Sequence, residues 1–68
     1  MSKFIRLHNV ENNTVVIINI DVICIIDTDE YNGRIVSVIY TNSSANMEEF
    51  KVNETPEKIY SMIEEITK

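Results

Sequence analysis

The sequence predicts an α+β fold, a small mostly antiparallel five-stranded sheet or partly open barrel with one C-terminal amphipathic helix. Two observations predict it. Residues 14–27 are rich in β-branched side chains, which favour strands. Residues 56–67 carry apolar side chains at helical spacing. Because 68 residues suffice for a single small core, residues 1–68 are expected to form one domain.

The N-terminal half begins with a predicted hairpin. Residues 3–8 alternate between polar and apolar side chains, and a turn at residues 9–13 leads to a second strand at residues 15–18. Asn19 and Asp21 then interrupt the apolar block, and such side chains can bond to their own backbone. This step predicts a kink, bulge or tight turn between two strands.

Three further strands follow, separated by two polar loops. The strands are predicted at residues 22–26, 35–41 and 47–52. The first loop, residues 27–33, contains the only glycine of the chain, and Asn32-Gly33 is expected at its tip. The second loop is predicted at residues 42–46.

The C-terminal helix is predicted over residues 56–67. Thr55 is a favourable N-cap, Pro56 suits the first helical position, and Glu57 places a negative charge in the first turn. Four apolar residues share one face of this helix: Ile59, Met62, Ile63 and Ile66. This face is expected to cover one side of the sheet.

The other side of the sheet is also apolar, because residues pointing to both sides of the predicted strands are valine and isoleucine. We expect a second copy of the chain to cover it, which predicts a homo-oligomer, most simply a dimer. The residues assigned to self-association are Val16, Ile18, Ile35 and Ile39. The equal alternative is the opposite face, with Val15, Ile17, Val36 and Val38.

Charge and composition restrict the partners and the location. The formal net charge of −5 argues against binding to phosphate backbones and so against nucleic acid. The chain begins without the apolar region of a secretory signal, and its apolar block carries Asn19 and Asp21, which argues against a membrane span. A cytoplasmic protein is expected. The single cysteine, Cys24, excludes an internal disulfide and is expected to be a small buried apolar residue.

No group of residues predicts catalysis or metal binding. The segment from Asp27 to Val38 lacks the glycine and the glutamate that a calcium loop needs at its sixth and twelfth positions. His8 has no nucleophile or acid beside it in the sequence. The sequence therefore predicts no enzyme, no cofactor and no metal. Tyr31 is the aromatic residue predicted to contact an unknown protein partner, whereas Tyr40 and Tyr60 are expected in the core or in an interface.

Two segments carry a family resemblance. The steps Asn19-Ile20-Asp21-Val22-Ile23 and Val52-Asn53-Glu54-Thr55-Pro56-Glu57 resemble those of the FlbD-like family of flagellar and swarming motility proteins. The resemblance implies the same order of strands and terminal helix, and a motility role. This sequence departs from the family pattern in its long segment Asp27 to Gly33 and in having Asn42 to Asn46 where an Asn-Gly-Lys type turn is expected. The order of elements is also similar to the first half of a LytTR DNA-binding domain, whose basic and recognition segments have no counterpart here.

The leading functional hypothesis is a non-enzymatic binding or accessory module that self-associates through an apolar sheet face. Two alternatives remain open at this point. One is a nucleic-acid-associated regulator of the LytTR-like kind. The other is a small acidic inhibitor from a mobile element, which would capture an enzyme through its negative surface.

Overall fold

Five antiparallel strands and one C-terminal helix make up the fold, in agreement with the predicted α+β class. The computed structural model describes residues 3–43 and 46–68. The elements are β1 (Phe4–His8), β2 (Val15–Asn19), β3 (Ile23–Tyr31), β4 (Arg34–Ser43), β5 (Asn46–Val52) and α1 (Pro56–Thr67).

The strands form two sheets that meet at one corner. β1 pairs with β2, and the second sheet has the order β3-β4-β5. An isolated bridge between Asn9 and Val52 joins the sheets, and the Asn53 N–H donates to the His8 carbonyl at 2.8 Å. Within residues 3–43 and 46–68 the sheets do not close into a barrel, and we call β2 and β3 the outer strands because they lie farthest from the bridge that joins β1 to β5.

The predicted tight turn after the second strand is confirmed. Residues Ile20–Val22 form one turn of 3-10 helix between β2 and β3. The side-chain oxygen of Asn19 accepts a hydrogen bond from the Asp21 N–H at 2.9 Å. Because this bond is local, the polar step in an apolar block was sufficient to predict the turn.

The predicted loop at residues 27–33 is wrong except at its tip. β3 continues to Tyr31, and a two-residue turn at Asn32 and Gly33 connects it to β4. Both turn residues have positive φ, 51° and 81°, which is the type I′ geometry. The twist of a type I′ turn matches the twist of the two strands that it connects, so β3 and β4 pair directly up to the turn. This pairing holds the acidic residues of β3 in an extended strand, although aspartate favours turns.

The second predicted loop falls partly outside the described residues. Asn42 and Ser43 belong to β4 and Asn46 belongs to β5, with Ser43 paired to Asn46. Ser44 and Ala45 lie outside the described residues.

The helix covers one face of both sheets, and its predicted start is confirmed. The Thr55 hydroxyl accepts a hydrogen bond from the Lys58 N–H at 3.2 Å. Ile59 is fully buried, and the rest of the predicted apolar stripe packs against the core. The fully enclosed part of this core consists of Ile5, Leu7, Ile18, Ile39, Val52 and Ile59.

The central strand β4 is buried on both faces, although only one lies under the helix. On the helix side, the Ser37 hydroxyl donates to the Glu54 carbonyl at 2.6 Å, which satisfies this buried group. On the outer side, Val36 and Val38 are buried beneath their strand neighbours. Asp29 lies opposite Val36 and Lys51 opposite Val38, and their charged ends meet across β4 at 3.2 Å.

Candidate interaction surface

The four residues that the sequence assigned to self-association do not share one exposed surface in the structure, because some of them are buried in the core. Ile18 and Ile39 belong to the intrachain core, where Ile39 is 0% exposed, and Val16 packs against that core. Only Ile35 is a surface residue, with 57% of its side chain exposed. The assignment of Ile18 and Ile39 to a contact surface is therefore corrected, because the helix covers the face that carries them.

The alternative set is divided in the same way. Val15 and Ile17 are 52% and 60% exposed, whereas Val36 and Val38 are buried under charged neighbours. The prediction assumed one five-stranded sheet in which each face is apolar along all strands. The chain instead builds two sheets, and different side chains cover the outer face of each.

An exposed apolar surface lies on the outer side of the β1–β2 hairpin. We call it the hairpin face and define it by Phe4, Arg6, Val15 and Ile17. Ile17 is opposite Arg6, and Val15 is opposite His8. Phe4 is 53% exposed and lies diagonally across from Ile17, within reach for a large side chain. One cation thus lies among three apolar side chains.

Phe4 was missed as a functional candidate. Its signal is the alternation of the first strand, which places Phe4 on the side opposite Ile5 and Leu7. Since Ile5 and Leu7 are buried, Phe4 must point outward. The alternation was predicted, but an exposed phenylalanine becomes informative only beside Val15 and Ile17.

The His8 side chain contacts Glu54 at the junction of the two sheets. Its ring Nδ1 lies 2.7 Å from Glu54 Oε2, and its backbone N–H donates to Glu54 Oε1 at 3.0 Å. Burial raises the pKa of Glu54, but the hydrogen bonds from the His8 ring and backbone outweigh it, so the pKa lies below its ordinary value. Glu54 therefore ties β1 to the segment before the helix, which is a structural role.

The three tyrosines occupy different environments. Tyr31 is partly buried at the end of β3, directly before the turn. Tyr40 lies on the outer face of β4, where a hydrogen bond with Glu49 raises its pKa. Tyr60 is exposed and lines a shallow groove with Ile26, Pro56 and Glu57. None of the three belongs to the enclosed core, so for Tyr40 and Tyr60 the core half of the expectation is not met and the interface half stays a prediction.

Cys24 is exposed, which corrects the expectation that it is buried. It lies where the register between β3 and β4 shifts, between Ile23 and Ile25. A residue at such an irregularity is left without an opposite partner, so its side chain is not forced onto the core face.

Residues 3–43 and 46–68 contain no group of three or more side chains that could hold a metal ion. No helix in that part of the chain has the length and apolar character required to cross a membrane.

Comparisons of the chain with protein families, with curated proteins and with solved structures gave no match. The resemblance to the FlbD-like family therefore stays a hypothesis, and the function must be argued from the surface itself.

Proposed function

We propose that this protein is a small non-enzymatic binding module that self-associates, most simply as a dimer, through the hairpin face. The observation that carries the proposal is the joint exposure of Phe4, Val15 and Ile17 on one side of the hairpin. Clustered exposed apolar side chains are typical of interaction sites, whereas single ones are ordinary. Burial of this cluster against a second copy would supplement a small core.

The reducing interior of a cell is part of the same proposal. Cys24 is an exposed free thiol, and free thiols persist in reducing compartments. A cytoplasmic location therefore suits the chain better than a secreted one.

A further protein partner would bind the surface that self-association leaves free. Tyr31 stays the predicted contact residue, because it lies beside the Asn32-Gly33 turn at the far end of β3.

A pair of matched variants tests the hairpin face. Ile17 and Ile35 are both isoleucines on strands and are similarly exposed, but Ile35 lies in the other sheet. Ile17→Lys replaces an exposed apolar side chain of the hairpin face with a second positive charge opposite Arg6. Because a contact between two copies would then have to bury or oppose these charges, the variant is expected to convert the associated species to monomer. Ile35→Lys is expected to leave the mass unchanged.

The measurement is absolute mass by light scattering after size exclusion, at several protein concentrations, with circular dichroism to confirm that each variant is folded. A monomeric unmodified protein at every concentration would refute self-association. Dissociation by Ile35→Lys but not by Ile17→Lys would place the contact elsewhere.

A further inference from the structure

The two outer strands differ in how well they are protected against pairing with another chain. β3 carries three negative charges, on Asp27, Asp29 and Glu30, and its register with β4 is irregular near Cys24. Charges and bulges of this kind are the usual protection of an edge strand.

The acidic residues of β3 also occupy its outward backbone donors. Tyr31 and Arg34 flank a two-residue turn, so they form a hydrogen-bonded pair. In an antiparallel sheet such pairs alternate with pairs whose backbone groups point away from the partner strand. The N–H groups of Thr28 and Glu30 therefore point away from β4. The Asp27 side chain accepts from the Thr28 N–H, and the Asp29 side chain accepts from the Glu30 N–H, both at 2.8 Å. The N–H groups of Thr28 and Glu30 are therefore not available to an incoming strand.

The edge of β2 has the opposite character. The Asn9 N–H donates to the Thr14 carbonyl at 2.9 Å, and the Ile20 N–H donates to the Lys3 carbonyl at 3.0 Å. These two bonds show which pairs of the hairpin are hydrogen-bonded, and such pairs occur at every second position of an antiparallel pair of strands. At the positions between them, the backbone N–H and C=O groups of β2 point away from β1. These positions are Val15, Ile17 and Asn19.

The Asn19 carbonyl accepts the first bond of the 3-10 turn that Asn19 caps. No hydrogen bond to the other outward backbone groups of Val15, Ile17 and Asn19 occurs within the described part of the chain. Residues 15–19 contain no charged residue, proline or glycine. β2 therefore lacks every protection that β3 has, and it is a β-branched edge with free donors and acceptors.

We propose that β2 pairs antiparallel with β2 of a second copy of this chain, about a two-fold axis at Ile17. This inference rests on the self-association proposed above and places the contact along the β2 edge of the hairpin face, so that Ile17 packs beside Ile17 of the second copy while Phe4 stays exposed. Ile17 of one copy lies opposite Ile17 of the other, and Val15 lies opposite Asn19. In this register every outward-facing residue of β2 forms a hydrogen-bonded pair.

A second copy fits this edge for two reasons. First, each chain carries a net charge of −5, and the uncharged segment 15–19 lets two copies meet without placing like charges directly opposite each other. Second, pairing joins two hairpins into a four-stranded sheet, and an isolated two-stranded sheet is marginally stable. In the four-stranded sheet, Val16 and Ile18 of both copies lie on the side that carries the two cores. The two hairpin faces join into one surface on the opposite side.

Amide hydrogen exchange on the native protein tests the edge directly. Raising the protein concentration is expected to slow exchange of the Val15, Ile17 and Asn19 amides. The outward amides of Thr28 and Glu30 serve as internal controls, and their exchange is expected not to change. Concentration-dependent protection of Thr28 and Glu30 instead would overturn the assignment to β2.

A backbone variant separates edge pairing from side-chain packing. Ligation at Cys24 allows residues 1–23 to be made synthetically with an N-methyl group on the Ile17 amide, which removes one outward donor and keeps the side chain. Dissociation is expected to become at least about tenfold more favourable, because each dimer loses two hydrogen bonds. N-methylation of Asn12, which lies in the exposed turn between β1 and β2 and outside both the hairpin face and the β2 edge, is the control and is expected to leave association unchanged.

The outcomes distinguish the two proposals. Unchanged association of the N-methyl-Ile17 protein would overturn edge pairing and leave the self-associating module intact. Absence of association in the unmodified protein would refute both.

Discussion

Truncation of Ile39 to alanine tests the division between core and surface on β4. Ile39 lies in the middle of the central strand, with Ile26 and Phe50 as its opposite neighbours, and none of its side chain is exposed. Ile35 lies on the same strand and the same side, but it is largely exposed. The two positions form a matched pair with the same residue type and different burial.

The expected loss follows from the buried side chain. Isoleucine to alanine removes three carbon atoms, worth about 2.4 kcal/mol at about 0.8 kcal/mol each, and the cavity left behind adds to this loss. Ile39→Ala is therefore expected to lower the free energy of unfolding by about 3–4 kcal/mol. Ile35→Ala is expected to change it by less than about 0.5 kcal/mol, as at other surface positions.

Urea denaturation followed by circular dichroism, at one protein concentration for all variants, measures both values. A chain of this length has a total stability of about 3–10 kcal/mol, so Ile39→Ala could unfold part of the sample without denaturant. Ile39→Val provides a measurable variant in that case, with an expected loss of about 0.5–1.5 kcal/mol. Equal losses for Ile35→Ala and Ile39→Ala would refute the assignment of Ile39 to the core.

Two further predictions concern Glu54 and Cys24. Because the folded pKa of Glu54 lies below its ordinary value of 4.5, the unfolded chain binds more protons between these two pKa values, and stability should fall as the pH drops through that window. Urea midpoints at several pH values should show this dependence, reduced in Glu54→Gln; an equal dependence in the variant would contradict the assignment. Cys24 should react with a thiol reagent in the folded protein without added denaturant, because its side chain is exposed. Reaction only at denaturing urea concentrations would show that the thiol is buried.

Much of the fold could be predicted because its signals are local. Thr55 and Pro56 determine the helix start through a cap and a fixed φ, and Asn19 determines the turn after β2 through a side-chain bond two residues ahead. The positive φ of Asn32 and Gly33 suits a type I′ turn, so the tip of the second hairpin was predictable as well. Each of these signals acts within a few residues.

The acidic segment before that turn could not be predicted, because strand pairing with β4 outweighs the turn-forming character of Asp27 and Asp29. The interaction surface was predicted only in part for a related reason. Alternation shows which residues share a side of a strand, but it does not show what lies over that side.

The sequence by itself therefore determined the class of the fold, the helix and its apolar stripe, and the presence of apolar residues on both sides of the strands. Only the tertiary structure decided that Ile39 is core and Ile17 is surface, and that one outer strand is protected while the other is bare. The physical reason is that burial depends on contacts between residues far apart in the chain. Val36 and Val38 are buried on the outer face of β4, where the charged ends of Asp29 and Lys51 meet across the strand, whereas Val15 and Ile17 are exposed on the outer face of the hairpin.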